Sequence, residues 1–301
     1  MKQGPVGISS NNAVEISFCG ISDIGRVRKN NEDRFVIYEL TRCEEVNPAA
    51  EERCAVGPRG MLLLVADGMG GEACGEVASH LAVSAIPSRF CETLAGKENL
   101  SEGMFASLLQ DAIEHANRLI FEKSQSNAVY RGMGTTVTAA GVSGGTLVVG
   151  QVGDSRAYLI RNGAFVQLTR DQTFLNYLAD LGADLPANLE RDHRRSILTQ
   201  AVGASPSVEV KVTLAELRQK DRILLCSDGL YTMVAPADLA LLASRASLKQ
   251  ACRELVDSAN KSGGNDNITA VVAEVAGRGL PPAGPSSPPQ VKEFHRQNFE
   301  A

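Results

Sequence analysis

An α+β fold is predicted for this chain, on three observations. Two amphipathic helical patterns follow one another directly, hairpin-linked strands come next, and further strands and helices close the chain without strict alternation. Regular βαβ repetition, the mark of a parallel sheet, is missing.

Taken in order, about fourteen polar residues come first, so 1–14 is expected to be a flexible N-terminal segment without the apolar stretch of a secretory signal. Strand patterns fall at Val14–Ile21, Arg34–Leu40 and Met61–Ala66. Residues 41–60 between the last two read as a long exposed loop. Cys74, Val77, Ala78, Leu81, Ala82 and Ala85 then recur at helical spacing before Pro87, and Phe105, Leu108, Leu109, Ala112, Ile113 and Ala116 repeat the pattern. Four strands come next at Thr135–Gly141, Thr146–Gln151, Ala157–Arg161 and Phe165–Leu168. Gly144-Gly145 joins the first pair and Asn162-Gly163 the second, both fit for two-residue turns. Residues 170–200 are polar, with one short helical pattern at Phe174, Leu178 and Leu181, and are read as a mobile flap, a pattern that a packed connection would share. Strands at Ser207–Thr213, Arg222–Cys226 and Ile268–Val275 enclose a third helical pattern, Leu248, Ala251, Cys252, Leu255, Val256 and Ala259. Residues 277–301 open with GRGLPPAGPSSPPQ, too rich in Pro, Gly and Ser to build a core, and are expected to form a disordered tail.

Composition narrows the function. Thirty Lys+Arg against 35 Asp+Glu leave a net charge of −5, which does not suit a nucleic-acid binder. No apolar run reaches the ~18 residues of a membrane helix. Seven cysteines, with no C-x-x-C pair, indicate neither a disulfide framework nor a zinc knuckle, so a cytoplasmic protein is expected. None of the seven is followed six residues on by arginine, which excludes a C-x₅-R thiol phosphatase. A P-loop and an H-E-x-x-H metal motif are also absent from the sequence.

The informative feature is a repeated grammar in which an apolar strand runs into aspartate and then a small residue. MLLLVA leads to Asp67-Gly68, TLVVGQVG to Asp154-Ser155, and RILLCS to Asp228-Gly229. Asp266 precedes the strand at 268–275, and Glu32-Asp33 precede the strand at 34–40. One Asp-Gly pair alone reads as a hairpin turn. The set does not, because Asp67 and Asp228 lead into helical patterns. Carboxylates gathered where buried strands emerge are costly unless paired, and hard divalent cations take oxygen ligands. Gly68-Met69-Gly70-Gly71-Glu72-Ala73 also matches a dinucleotide fingerprint, but a second helix stands where that site needs a strand, and Asp67 would repel a pyrophosphate. Arg28, four residues before Glu32, supplies a guanidinium able to grip two phosphate oxygens, and Arg26 or Arg156 could replace it.

Six stretches, SDIGRVRKNNEDRF (22–35), LLLVADGMGGEACGEVAS (62–79), RGMGTTVTA (131–139), VGDSRAYL (152–159), DRILLCSDGL (221–230) and GGNDNITAVV (263–272), together resemble the metal-dependent, protein phosphatase 2C-like family in its short bacterial form. The resemblance implies a four-layer αββα sandwich: two central antiparallel sheets flanked by antiparallel helix pairs, spanning residues 15–276 as the catalytic domain. It also implies a phosphoserine/phosphothreonine protein phosphatase holding two Mn²⁺ or Mg²⁺ ions. Asp67 would bridge them with the Gly68 carbonyl on one, and Asp228 and Asp266 would complete the other. Asp154 with Asp228 would make a weaker third site, Glu32 and Asp33 would orient metal-bound water, and Arg28 would hold the phosphate. His193 would lie in a substrate-facing flap.

The implied reaction is in-line attack by a metal-bridging hydroxide, reversing a Ser/Thr kinase in bacterial signalling. The implied partners are phosphorylated proteins and a cognate kinase, with a monomer as the default state and neither nucleic acid nor membrane involved. A regulator of one small signalling protein and a non-catalytic module are the rival readings; intact Asp67, Gly68, Asp228 and Asp266 argue against the second. Two departures stand out. Met69 occupies the place where eukaryotic relatives carry a histidine proposed as general acid, leaving metal-bound water or His193 for that task. The flap reads Asp192-His193-Arg194 where relatives often have His-Pro.

Overall fold

The computed structural model describes residues 13–47, 53–70, 74–94, 100–182, 197–284 and 288–296. The strands are β1 (Glu15–Asp23), β2 (Asp33–Glu39), β3 (Glu44–Glu45), β4 (Cys54–Ala55), β5 (Met61–Met69), β6 (Gly134–Thr135), β7 (Val137–Ser143), β8 (Thr146–Val152), β9 (Arg156–Arg161), β10 (Ala164–Gln167), β11 (Lys211–Glu216), β12 (Arg222–Cys226), β13 (Ile268–Ala276) and β14 (Val291–Glu293). The helices are α1 (Cys74–Thr93), α2 (Glu102–Ser126), α3 (Phe174–Asp180), α4 (Asp228–Tyr231), α5 (Pro236–Ala243) and α6 (Leu248–Lys261).

Two antiparallel sheets result. One runs β10-β9-β12-β13-β1-β4, and the other β14-β11-β8-β7-β5-β2-β3 with β6 paired to β5. Because successive side chains on a strand point to opposite faces, each central strand feeds two cores. Met61, Leu63 and Val65 of β5 pack between the sheets with Val271, Ala273 and Val275 of β13. Leu62, Leu64 and Ala66 face outward onto α1 and α2. Ile268, Ala270 and Val272 of β13 face outward on the other side, against α4, α5 and α6. This double burial explains why these strands read as unbroken apolar runs. Each fully buried aliphatic side chain contributes about 1.5–3 kcal/mol. The predicted sandwich is the fold observed.

Several expectations need correction. α1 does not stop at Pro87 but continues to Thr93. Ile86, Pro87 and Phe90 are buried in its second half, and that burial outweighs the backbone bond proline removes. The strand expected at 207–213 begins at Lys211, paired with Gln151, because β8 ends at Val152 and offers nothing beyond. Residues 41–60 are not one loop: β3 and β4 lie within them, and Cys43 is joined to Cys91 by a disulfide, against the expectation of none. Val14, placed in the flexible segment, is buried, while residues 1–12 lie outside the described residues. The disordered tail is corrected as well. Leu280 is buried between the sheets, β14 pairs with the edge strand β11, and Phe294 inserts beside α2. An open sheet edge and an apolar surface both gain a partner from this segment.

Candidate active site

The acids converge because strands of both sheets end together. Asp67 on β5 stands directly across from Asp33 on β2. Asp154 lies in the turn from β8 to β9, Asp228 opens α4 after β12, and Asp266 sits just ahead of β13. A pocket of about 820 Å³ is lined by Arg28, Glu32, Asp67, Gly68, Asp154, Asp228 and Asp266, with Met69, Thr136, Ile197 and Leu198 among its walls. Residues from seven separate stretches of chain thus share one cavity. Asp33 does not line it but lies buried behind Asp67. His193 lies outside the described residues.

Local bonding holds the acids in place. The Asp67 amide donates to Thr136 Oγ1 (3.1 Å), and its carbonyl accepts from the Thr136 amide (2.8 Å) and Thr135 Oγ1 (2.9 Å). Gly68 is required by close approach. A Cβ there would lie 2.2 Å from the Gly75 carbonyl oxygen and 2.7 Å from that of Glu32. Gly75 is equally confined, since its Cβ would lie 2.2 Å from Glu32 Oε2. The Glu32 carbonyl in turn accepts from Ser79 Oγ at 2.5 Å. Tyr231 donates its hydroxyl to the Asp154 carbonyl (3.1 Å) and stacks beneath the Arg156 guanidinium, 3.5 Å from the ring centre. Arg156 is taken by Asp171 (2.6 Å), so it is no rival to Arg28 for phosphate.

Burial sets the charge state of the cluster. It pushes the Asp33 carboxyl up to about 7, although Ser227 (2.6 Å) and Thr269 (2.7 Å) donate to its Oδ2. Asp154 is likewise raised to about 7 and Asp228 to about 6, chiefly by burial and then by neighbouring carboxylates. Asp67 is lifted well above the usual carboxylate range by burial and by Asp33, Asp228, Asp154 and Asp266. Burial also raises Glu32, while its hydrogen bond to Asp266 raises Arg28.

The donor set fits divalent cations. It consists of carboxylate and carbonyl oxygens, the ligands hard cations prefer, and Asp33 Oδ1 is buried with no hydrogen-bond partner. The set is not closed as it stands. Arg28 Nη2 donates to Asp266 Oδ2 at 2.7 Å, and no group of three or more acids, His or Cys among the described residues is arranged to grip an ion.

The family model for protein phosphatase 2C matches residues 51–273. The chain belongs to the protein phosphatase 2C family. Among relatives, the serine/threonine phosphatase stp of Listeria innocua is 34% identical over 254 residues, covering 84% of this chain and 93% of its own. The protein phosphatase PhpP of Streptococcus pneumoniae is 31% identical over 263 residues, covering 87% and 98%. The structure of the Mycobacterium tuberculosis serine/threonine phosphatase PstP/Ppp superposes with a TM-score of 0.70 at 33% identity, over 86% of this chain and 98% of that one. The catalytic domain of PstP in complex with two manganese ions gives 0.69 at 32% identity, over 87% and 99%. For this protein phosphatase 2C member, sequence reasoning passed over Thr136, Ser227 and Thr269. Each is a small hydroxyl residue close to a strand end where the acids gather, a signal visible only once the acids are known to share a site.

Proposed function

We propose that this chain is a Mn²⁺- or Mg²⁺-dependent protein serine/threonine phosphatase that hydrolyses phosphoserine and phosphothreonine in bacterial signalling. Its site acids are the ones the family resemblance implies, and all of them but Asp33 line one pocket. The single observation that carries the reading is the convergence of Asp67, Asp154, Asp228 and Asp266 with Arg28 in that cavity.

Asp67, the Gly68 carbonyl, Asp228 and Asp266 would hold two cations, and Asp154 with Asp228 a weaker third. When bound, such ions lower the pKa of water and neutralise phosphoryl oxygens for in-line attack. Arg28 grips the phosphate at the pocket mouth, bidentately, once released from Asp266. Asp33, anchored by Ser227 and Thr269 through Oδ2, keeps a buried Oδ1 without a hydrogen-bond partner, which leaves that oxygen to orient water and accept its proton. Glu32 orients water beside it. Met69, which lines the pocket, is a thioether and supplies no proton to the leaving group. Partners are phosphorylated proteins, with a cognate Ser/Thr kinase to supply them, and the protein acts as a monomer. Among the described residues no helix is long and apolar enough to cross a membrane.

The test is hydrolysis of a phosphothreonine and a phosphotyrosine peptide, each with Mn²⁺ and with EDTA, by wild type and Asp228→Asn. Mn²⁺-dependent cleavage of the phosphothreonine peptide, nearly abolished in the variant, is expected. Equal rates in EDTA, or near-wild-type turnover by Asp228→Asn, would refute the assignment.

A further inference from the structure

The loop that carries Arg28 has no regular structure. Between the end of β1 at Asp23 and the start of β2 at Asp33 its residues are largely exposed, with Val27 at 64%. A phosphate grip on such a loop is useful only if the loop is held before substrate arrives. The direct bond from Arg28 to Asp266 does not serve, because Arg28 must leave it to take phosphate.

One buried side chain makes contacts that can persist. Asn267 is 5% exposed at the entrance to β13. Its Nδ2 donates to the carbonyls of Ile24 (2.9 Å) and Asn30 (2.9 Å), and its Oδ1 accepts from the Glu32 amide (2.8 Å). Both protons of the amide group are used, on carbonyls that bracket Arg28, and the third bond fixes the backbone of Glu32. The backbone amide of Asn267 also donates to Asp266 Oδ1 at 2.8 Å. Close packing supports the clasp. Gly25 has φ +81° and its Cβ would lie 2.2 Å from the Asp266 carbonyl oxygen, while the Arg26 amide donates to the Gly264 carbonyl (2.7 Å).

We infer that Asn267 is the positioning residue of the phosphate grip, closing the 24–32 loop so that Arg28 is presented to the pocket in register with Asp266. Aspartate would lose both donors and leucine all three bonds, so the planar amide is the group the site needs. The inference rests on Arg28 being the phosphate ligand.

The test is a double-mutant cycle with Asn267→Ala and Arg28→Ala in the full chain with Mn²⁺. KM for p-nitrophenyl phosphate is measured, together with the calorimetric Kd of inorganic phosphate and the melting temperature. Asn267→Ala is expected to raise both KM and Kd by about fivefold or more, with kcat falling by less than about threefold. The double variant should stay within about twofold of Arg28→Ala alone, because an unpositioned arginine and a missing one are equivalent. A merely structural asparagine would lower the melting temperature but leave KM and Kd within about twofold of wild type, or give fold-changes that multiply in the cycle. Either result overturns the inference. Should Asn267→Ala fail to fold, the same cycle is run with Asn267→Ser, which keeps one hydroxyl donor and should show the same non-multiplying pattern at smaller size. If Arg28→Ala itself leaves KM and Kd unchanged, the phosphate role of Arg28 and the inference fall together. An effective Arg28→Ala beside a silent Asn267 variant defeats the inference alone.

Discussion

Removing divalent cations should make this protein lose stability as pH rises through the range where most proteins are most stable. Asp33 and Asp154 titrate near 7 and Asp228 near 6 in the folded chain, against ~3.9 in an unfolded one. Between about pH 4 and 7 the native state therefore holds protons that the unfolded state has released. Raising the pH then favours unfolding, and the contribution present at acid pH is gone above the native pKa values. Each such group contributes at most ~1.4 kcal/mol per pH unit. Between about pH 5 and 6 all three are protonated in the folded chain and ionised in the unfolded one, so the expected slope is up to ~4 kcal/mol per unit, or about 8–16 °C, and it falls as the mutually repelling carboxylates deprotonate in succession. Cations bind the ionised carboxylates, so Mn²⁺ should remove this slope and stabilise more at pH 7 than at pH 5. The assay is thermal melting from pH 5 to 7.5 in EDTA and in Mn²⁺, with Asp33→Asn as a control whose EDTA slope should be shallower. Parallel pH profiles with and without Mn²⁺, unchanged by Asp33→Asn, would refute the reasoning.

Three further outcomes are expected. Gly75→Ala places a methyl 2.2 Å from Glu32 Oε2, and a displacement of about 1 Å should cost roughly 10–100-fold in turnover of p-nitrophenyl phosphate; wild-type turnover would show that the Glu32 carboxylate has no part in catalysis. Deleting residues 288–301 removes the β14 pairing and the buried Phe294, worth about 3 kcal/mol together. The melting temperature should fall by about 6–12 °C with small-substrate turnover intact, and an unmoved melt would mean that this segment does not dock. Cys43→Ser should lower the melting temperature as much as a reductant lowers that of the wild type, because the bond closes a 48-residue separation worth about 4 kcal/mol by loop entropy; identical melts of variant and oxidised wild type would show the thiols to be unlinked.

The chain alone determined whatever periodicity and punctuation dictate. Unbroken apolar runs such as Met61–Ala66 and Ile268–Val275, with helical stripes at 74–85, 105–116 and 248–259, specify strands buried on both faces and helices covering them, because side-chain direction repeats every two or 3.6 residues. The acids at strand ends, and the glycine after them, were legible for the same reason: a carboxylate at the end of an apolar strand has few physical excuses. Tertiary structure decided what depends on partners far away in the chain. Pro87 stays within a helix because Phe90 finds a core; β11 starts at Lys211 because β8 ends; Val291–Glu293 becomes a strand because an edge lies open. Asn267, reaching back to Ile24, Asn30 and Glu32, looks in the sequence like any polar turn residue. Hydrogen bonds and packing between distant segments leave no local pattern, since the chain records each side chain's chemistry but not the neighbour that will satisfy it.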